Sequence, residues 1–189
     1  VPSDLHHYLD ETIMPSAWYP EAEYERLLIA LASVVSARDQ LVDVWEHFGK
    51  TAAQRDLAGD QSLIRDDARV GSAGLYRRFI GNEVTSVGTL FLRTATLWSM
   101  YHDTGRLVVE PSASNERAVL LRLLDFKFPV RGMSEMQVHY LCEYARLVGI
   151  ELTGRVLQTT AEGAALDTWE YTVPPTPEAI HSVAQLRKA

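Results

Sequence analysis

The periodicity of apolar residues changes near Gly105, and this change constrains the fold more than any other feature of the sequence. Before Gly105, apolar residues recur at helical spacing; after it, short apolar runs alternate with turn residues. The predicted order is several helices, then strand, strand, helix, strand and strand. Because the helices and strands are segregated, we expect an α+β fold. It comprises an N-terminal helical subdomain followed by a four-stranded antiparallel sheet with an inserted helix (ββαββ).

The helical half is predicted to begin with helices over Ser3–Ile13 and from Pro20 onward. Proline and the glutamates after it suit the first turn of a helix. Asp39 is predicted to cap the next helix, whose apolar stripe is Leu41, Val44, Trp45 and Phe48. A long helix is predicted over Glu83–His102, with an inner face formed by Val84, Val87, Phe91, Thr94, Trp98 and Tyr101.

The second half is predicted to begin with a strand at Arg106–Glu110. Ala118–Phe128 is so apolar that a buried helix and a buried strand both remain open. Ser134 and Gln137 have the spacing of a capping box for the inserted helix, which Gly149 ends. The last two strands are predicted at Ile150–Thr159 and around Trp169, Tyr171 and Val173.

The predicted domain organisation is one domain over residues 1–173, followed by a linker or C-terminal helix over residues 174–189. Within the domain, residues 1–104 form the helical subdomain and residues 105–173 the sheet subdomain. Thr176-Pro177-Glu178 starts the last helix, in which Ile180, Val183 and Leu186 share a face. A chain of 189 residues is long enough to bury a full core.

Composition excludes several classes of function. The 18 basic and 25 acidic residues give a net charge of −7, which argues against nucleic-acid binding. The single cysteine, Cys142, excludes an internal disulfide framework and suits a reducing compartment. No apolar run approaches the roughly 20 residues of a membrane-spanning helix. A cytoplasmic protein without a membrane segment is therefore expected.

Three segments resemble the heme-nitric-oxide/oxygen-binding (H-NOX) family and its heme-free, myxobacterial-type relatives. Trp18-Tyr19-Pro20-Glu21 resembles the start of the second helix, and Trp45–Lys50 resembles a helix that ends in a Phe-Gly pair. Leu97–Gly105 resembles the end of the long helix where it enters the sheet. The resemblance extends over about residues 3–173. It implies an α+β sensory fold of bacterial signalling proteins, with a ligand space between the two halves.

The heme site of that family is not matched. Heme-binding members carry a Tyr-x-Ser-x-Arg signature for the propionates, and no tyrosine of this chain begins it. His102 lies near the expected position of the proximal histidine and would be the iron ligand only if heme binds. A histidine at the end of a helix is favoured by the helix dipole alone. We therefore expect no heme, no other cofactor and no metal site.

The function expected from the sequence is that of a non-catalytic bacterial signalling domain, which acts through a protein partner or as a homodimer. Cys142 lies mid-helix, and although His139 could share its face, a buried structural thiol is favoured over a nucleophile, so no enzyme is expected. The alternative is a sensor of a small apolar ligand; a heme gas sensor is less favoured. The candidate lining residues of its cavity are Trp45, Phe48, Phe91, Trp98 and Tyr101. A cavity filled by these side chains is favoured over an open one.

Overall fold

The structure is a computed structural model that describes residues 38–58, 84–102, 104–127 and 132–186. The helices predicted at Ser3–Ile13 and from Pro20 lie outside these residues. The described helices are α1 (Arg38–Ala58), α2 (Val87–Tyr101), α3 (Met133–Leu147) and α4 (Pro177–Gln185). The described strands are β1 (Arg106–Pro111), β2 (Ala118–Leu124), β3 (Thr153–Gln158) and β4 (Asp167–Thr172).

The four strands form one antiparallel sheet in the order β1-β2-β4-β3. Two hairpins, β1–β2 and β3–β4, are joined side by side by the pairing of β2 with β4, and α3 lies between them in the chain. Helices with a four-stranded antiparallel sheet make an α+β fold, as predicted. The ββαββ order of the second half is confirmed.

The ambiguous segment Ala118–Phe128 is a strand over Ala118–Leu124. Leu121 pairs with Val109 on one side and with Trp169 on the other, so β2 is a central strand. Its alternate residues Val119, Leu121 and Leu123 are buried, whereas Leu120 and Leu124 remain partly exposed. The period of two is what a sheet with one buried face requires.

All four described helices lie on one side of the sheet. Phe91 of α2 contacts Tyr171 of β4, with ring centroids 5.6 Å apart. On the same face, the backbone of Gly154 in β3 lies close to Val138 of α3. α1 packs on α3, and α4 packs on α2. The core therefore lies between the inner face of the sheet and the helices.

Two predicted helix starts are wrong. Ser134 and Gln137 form no capping box, because α3 begins after Gly132, whose φ is +93°, and no side chain caps it. The Ser134 hydroxyl instead donates to Asp167 Oδ1 at 2.9 Å. Asp39 lies inside α1, which begins at Arg38.

The capping box lies at the start of α2, where the sequence analysis did not place one. The Thr89 N–H donates to Ser86 Oγ at 3.2 Å, and the Ser86 N–H donates to Thr89 Oγ1 at 3.0 Å. Threonine stands here in the place of the usual glutamate or glutamine, so a search for Ser-x-x-Glu misses it.

Helix α1 does not end at the Phe48-Gly49 pair, which corrects one detail of the resemblance. It continues to Ala58, and Gly49 faces the backbone of α3. A Cβ at Gly49 would lie 2.5 Å from the Met136 carbonyl oxygen and 2.9 Å from the Tyr140 nitrogen. Glycine at this position lets two helices approach closely.

Candidate functional site

Four of the predicted lining residues lie in one continuous core and come from two helices. Trp45 and Phe48 are buried on α1, which packs against α3, whereas Phe91 and Trp98 are buried on α2, which packs against the sheet. The side chain of Tyr101 lies outside the described residues. The indole of Trp45 is so close to Gly132 that a Cβ there would lie 1.7 Å from Trp45 Nε1. Contacts this tight are those of a packed core.

His102 caps the end of α2 rather than projecting from it. Its backbone N–H donates to the Trp98 carbonyl at 3.0 Å, and its ring stacks on the Trp98 indole with centroids 3.7 Å apart and planes 7° apart. Phe126 meets the same indole edge-on at 6.0 Å. His102 is therefore part of an aromatic cluster with Trp98 and Phe126 at the C-terminal end of α2. This end of α2 adjoins the sheet, and the predicted ligand space lay between the helices and the sheet.

Trp169 carries a feature that the sequence did not indicate. Its side chain is 1% exposed on the inner face of β4, and its Nε1–H has no hydrogen-bond acceptor among the described residues. A buried donor left without a partner costs about 1–3 kcal/mol. The indole N–H is thus a position where a polar atom of a bound molecule would be favoured.

Cys142 is shielded rather than activated. Burial raises the pKa of its thiol to about 11. The phenol of Tyr171, which donates to the Gln137 carbonyl at 3.3 Å, also has a raised pKa, first because of its own burial and then because of Cys142. Nucleophilic cysteines have lowered pKa values, so this environment is that of a structural thiol.

The shielding of Cys142 predicts slow alkylation in the native protein. A rise from 9.0 to about 11 leaves roughly a hundredfold less thiolate at about pH 8. Iodoacetamide should therefore react about a hundredfold more slowly with the folded protein than with the same protein in urea, as followed by mass spectrometry. Rates within tenfold of each other would show that the thiol is accessible and ionised.

A buried carboxylate links α1 to α3. Glu143 is 7% exposed and accepts from Arg146 Nε at 2.7 Å and from Gln54 Nε2 at 2.8 Å. The hydrogen bond from Arg146 is the main cause that lowers the pKa of Glu143 to about 2. Because Gln54 lies on α1, this group holds the two helices in register.

The low pKa of Glu143 predicts a pH-dependent contribution to stability. Its folded pKa lies below the unfolded value, so the stabilisation is complete above about pH 4.5 and is lost as the pH falls toward 2. Glu143→Gln should lower the free energy of unfolding by about 1–2 kcal/mol at pH 7, a figure reduced because Arg146 faces solvent. The deficit should shrink between pH 4.5 and 2 in urea titrations. The exposed-site variant Glu151→Gln should follow wild type; an equal pH dependence in both would contradict this role for Glu143.

The outer face of the sheet points away from all four described helices. We use the term outer face for the residues that alternate with the buried ones along the strands, namely Val108, Glu110, Leu120, Arg122, Leu124, Arg155 and Glu170. Three of them, Val108, Leu120 and Leu124, are apolar and partly exposed. An apolar group of this kind on a surface is a candidate contact site.

Two ion pairs lie on the same face as this apolar group. Arg122 Nη1 lies 3.2 Å from Glu110 Oε2, and Arg155 Nη2 lies 2.6 Å from Glu170 Oε1. Leu157, which is 45% exposed, lies in a β-bulge at the edge strand β3, next to Gln158. Gln158 donates to Thr168 Oγ1 at 3.2 Å on this side of the sheet. The face thus mixes apolar and charged side chains, since Arg122 lies between Leu120 and Leu124 on β2 and pairs with Val108.

Two features are absent from the described residues. They contain no group of three or more His, Cys, Asp or Glu side chains arranged to hold a metal ion. Within the same ranges, no helix is both long enough and apolar enough to cross a membrane.

The sequence was compared with known proteins. It matches no model of a known protein family, and it matches no protein of curated function.

Proposed function

We propose that this chain is a non-catalytic bacterial signalling domain that acts by self-association through the outer face of its sheet. The observation that carries the proposal is the set of partly exposed apolar residues Val108, Leu120 and Leu124 on that face, which no described helix covers. Arg122 lies among them, and protein interfaces are enriched in arginine beside apolar contacts. The resemblance to the heme-free H-NOX relatives supports the signalling role.

The face, rather than an edge of the sheet, is the favoured contact. The edge strand β3 contains a bulge between Val156 and Gln158, and the edge strand β1 ends in Pro111, which has no N–H to donate. Bulges and prolines prevent the addition of another strand. Two copies meeting face to face around a two-fold axis would instead use the same patch on both partners.

The test is the oligomeric state in solution, measured by sedimentation velocity over a range of concentrations. We expect a dimer that Leu120→Lys and, separately, Leu124→Lys weaken at least tenfold, because each places a charge in the contact. Leu92→Lys is the matched control, since Leu92 is a surface leucine, 45% exposed, that lies on α2, across the sheet. A monomer at all concentrations, or equal effects of all three variants, would contradict the proposal.

The proposed assignment includes the absence of heme and a cytoplasmic, reducing location in which Cys142 stays a thiol. His102 is stacked on Trp98, and the chain lacks the family's propionate signature. Added ferrous heme is therefore expected to produce no sharp Soret band of protein-bound heme under reducing conditions. A band that disappears in His102→Ala would instead identify a heme sensor.

A second candidate function, sensing of a small apolar ligand between the helices and the sheet, is favoured by one observation. The buried Nε1–H of Trp169 lacks an acceptor among the described residues, and ligand sites are mostly apolar with a few such polar groups. Acetophenone, an apolar molecule with one acceptor, is a suitable probe. If this candidate is right, acetophenone shifts the Trp169 indole N–H resonance in NMR spectra, and Trp169→Phe weakens binding about tenfold. No shift of that resonance would speak against it.

A further inference from the structure

The C-terminal helix α4 rests on α2 through a small set of contacts. It follows the Pro174-Pro175 pair, and the side chain of Thr176 caps it by accepting from the Ala179 N–H at 3.3 Å. Ser182 and Val183 are the residues that it buries fully. A nine-residue helix is unstable alone in water, so the helical state of α4 depends on its contact with α2.

One of these contacts completes the first turn of α2. The first N–H groups of a helix have no partner within the helix. In α2, the Thr89 and Leu90 N–H groups donate to the side chain and the carbonyl of Ser86, respectively. The Gly88 N–H donates to Ser182 Oγ at 3.2 Å, and this hydroxyl comes from α4 in a buried position. The end of α2 is therefore capped partly by a helix 94 residues further along the chain.

Gly88 also provides the surface on which α4 lies. A Cβ on Gly88 would sit 3.4 Å from the Ser182 carbonyl oxygen and 3.8 Å from Leu186 Cδ2, so the two helices are in contact there. Glu178, His181 and Gln185 of α4 are exposed, whereas Val183 is fully buried and Ala179 and the neighbouring Leu186 pack partly against the core. Because α4 makes only these few apolar contacts, separating it from α2 costs less free energy than unfolding the core.

We propose that α4 is a strap that docks on α2 and releases from it as a unit, and that the first turn of α2 loosens whenever the strap is released. On release, the Gly88 N–H loses its acceptor and the buried side of Val183 is exposed. The same helix α2 continues to Trp98 and packs on β1. Release of the strap therefore changes the stability of a helix that contacts the sheet. This inference is independent of the proposed self-association.

The test is residue-resolved amide hydrogen exchange of the full chain, measured by NMR. Val183→Ala should raise the exchange rates of the α4 amides and of Gly88 together, by about tenfold, while that of Leu121 in the central strand changes less than twofold. Ser182→Ala should raise the Gly88 rate by a similar factor. An equal rise at Leu121 would overturn the proposal, because α4 would then open only with the whole core.

A matched control separates the strap from ordinary fraying of α2. Ser86→Ala removes the cap of the same turn without touching α4, so it should raise the exchange rate of Thr89 and leave the α4 amides at their wild-type rates. A rise of the α4 rates in Val183→Ala without any change at Gly88 would also overturn the proposal, since the two elements would then open separately.

Discussion

Gly132→Ala is expected to lower the free energy of unfolding by about 3–5 kcal/mol. Two costs add. Gly132 has a φ of +93°, a conformation that strains residues with a Cβ. The new Cβ would also lie 1.7 Å from Nε1 of the buried Trp45. Urea denaturation followed by tryptophan fluorescence measures the change.

Gly163→Ala is the matched control for this variant. Gly163 has nearly the same φ, +92°, but its Cβ would have no neighbour within 4 Å. It should therefore show only the backbone strain, about 1–2 kcal/mol. In a Trp45→Ala background, Gly132→Ala should cost no more than this control, because the indole is gone. Equal losses for the two glycine variants in the wild-type background would mean that Trp45 does not pack on Gly132.

Gly49→Ala is expected to destabilise the protein by about 1–3 kcal/mol, although helix propensity alone predicts a gain of about 0.5–1 kcal/mol. The atoms that a Cβ would meet at Gly49 are backbone atoms of Met136 and Tyr140, at 2.5 and 2.9 Å, which cannot rotate away. Helices α1 and α3 would have to move apart. Thermal unfolding monitored by circular dichroism gives the sign directly.

Gly88→Ala provides the comparison for Gly49→Ala. Gly88 is also a helical glycine, but the nearest atom to its Cβ would be the Ser182 carbonyl oxygen at 3.4 Å, an ordinary contact. Its stability should stay within about 0.5 kcal/mol of wild type. If Gly49→Ala were more stable than wild type, the close crossing of α1 and α3 would be wrong.

The α+β class and the order of the second half were predictable because they depend on local patterns. An alternation of two marks a strand with one buried face, and a spacing of three to four marks a helix with one buried stripe. The predicted Arg106–Glu110 and Glu83–His102 differ from the observed Arg106–Pro111 and Val87–Tyr101 only at their ends. The fourth helix was predicted at Thr176-Pro177 and begins there.

The candidate site was less predictable. The aromatic residues of the core were identified: Trp45, Phe48, Phe91 and Trp98 are buried in one continuous core, to which α1 and α2 each contribute two. No local signal indicated the unpartnered N–H of Trp169 or the outer face, because both depend on which strands pair. The ion pair of Arg155 with Glu170, which lies on that face, also follows from the register of β3 against β4.

The sequence by itself indicated the buried sides of α2, β4 and α4, because side-chain burial repeats with the period of the backbone. Only the tertiary structure decided which buried sides meet. Ser134 has the spacing of a helix cap, yet its hydroxyl donates a hydrogen bond to Asp167, 33 residues away. In the sequence, Gly49 is a residue that disfavours a helix; in the structure, its missing Cβ lets the backbone of Met136 pack against α1. Such choices depend on distances of a few ångströms between residues far apart in the chain, and no local pattern encodes those distances.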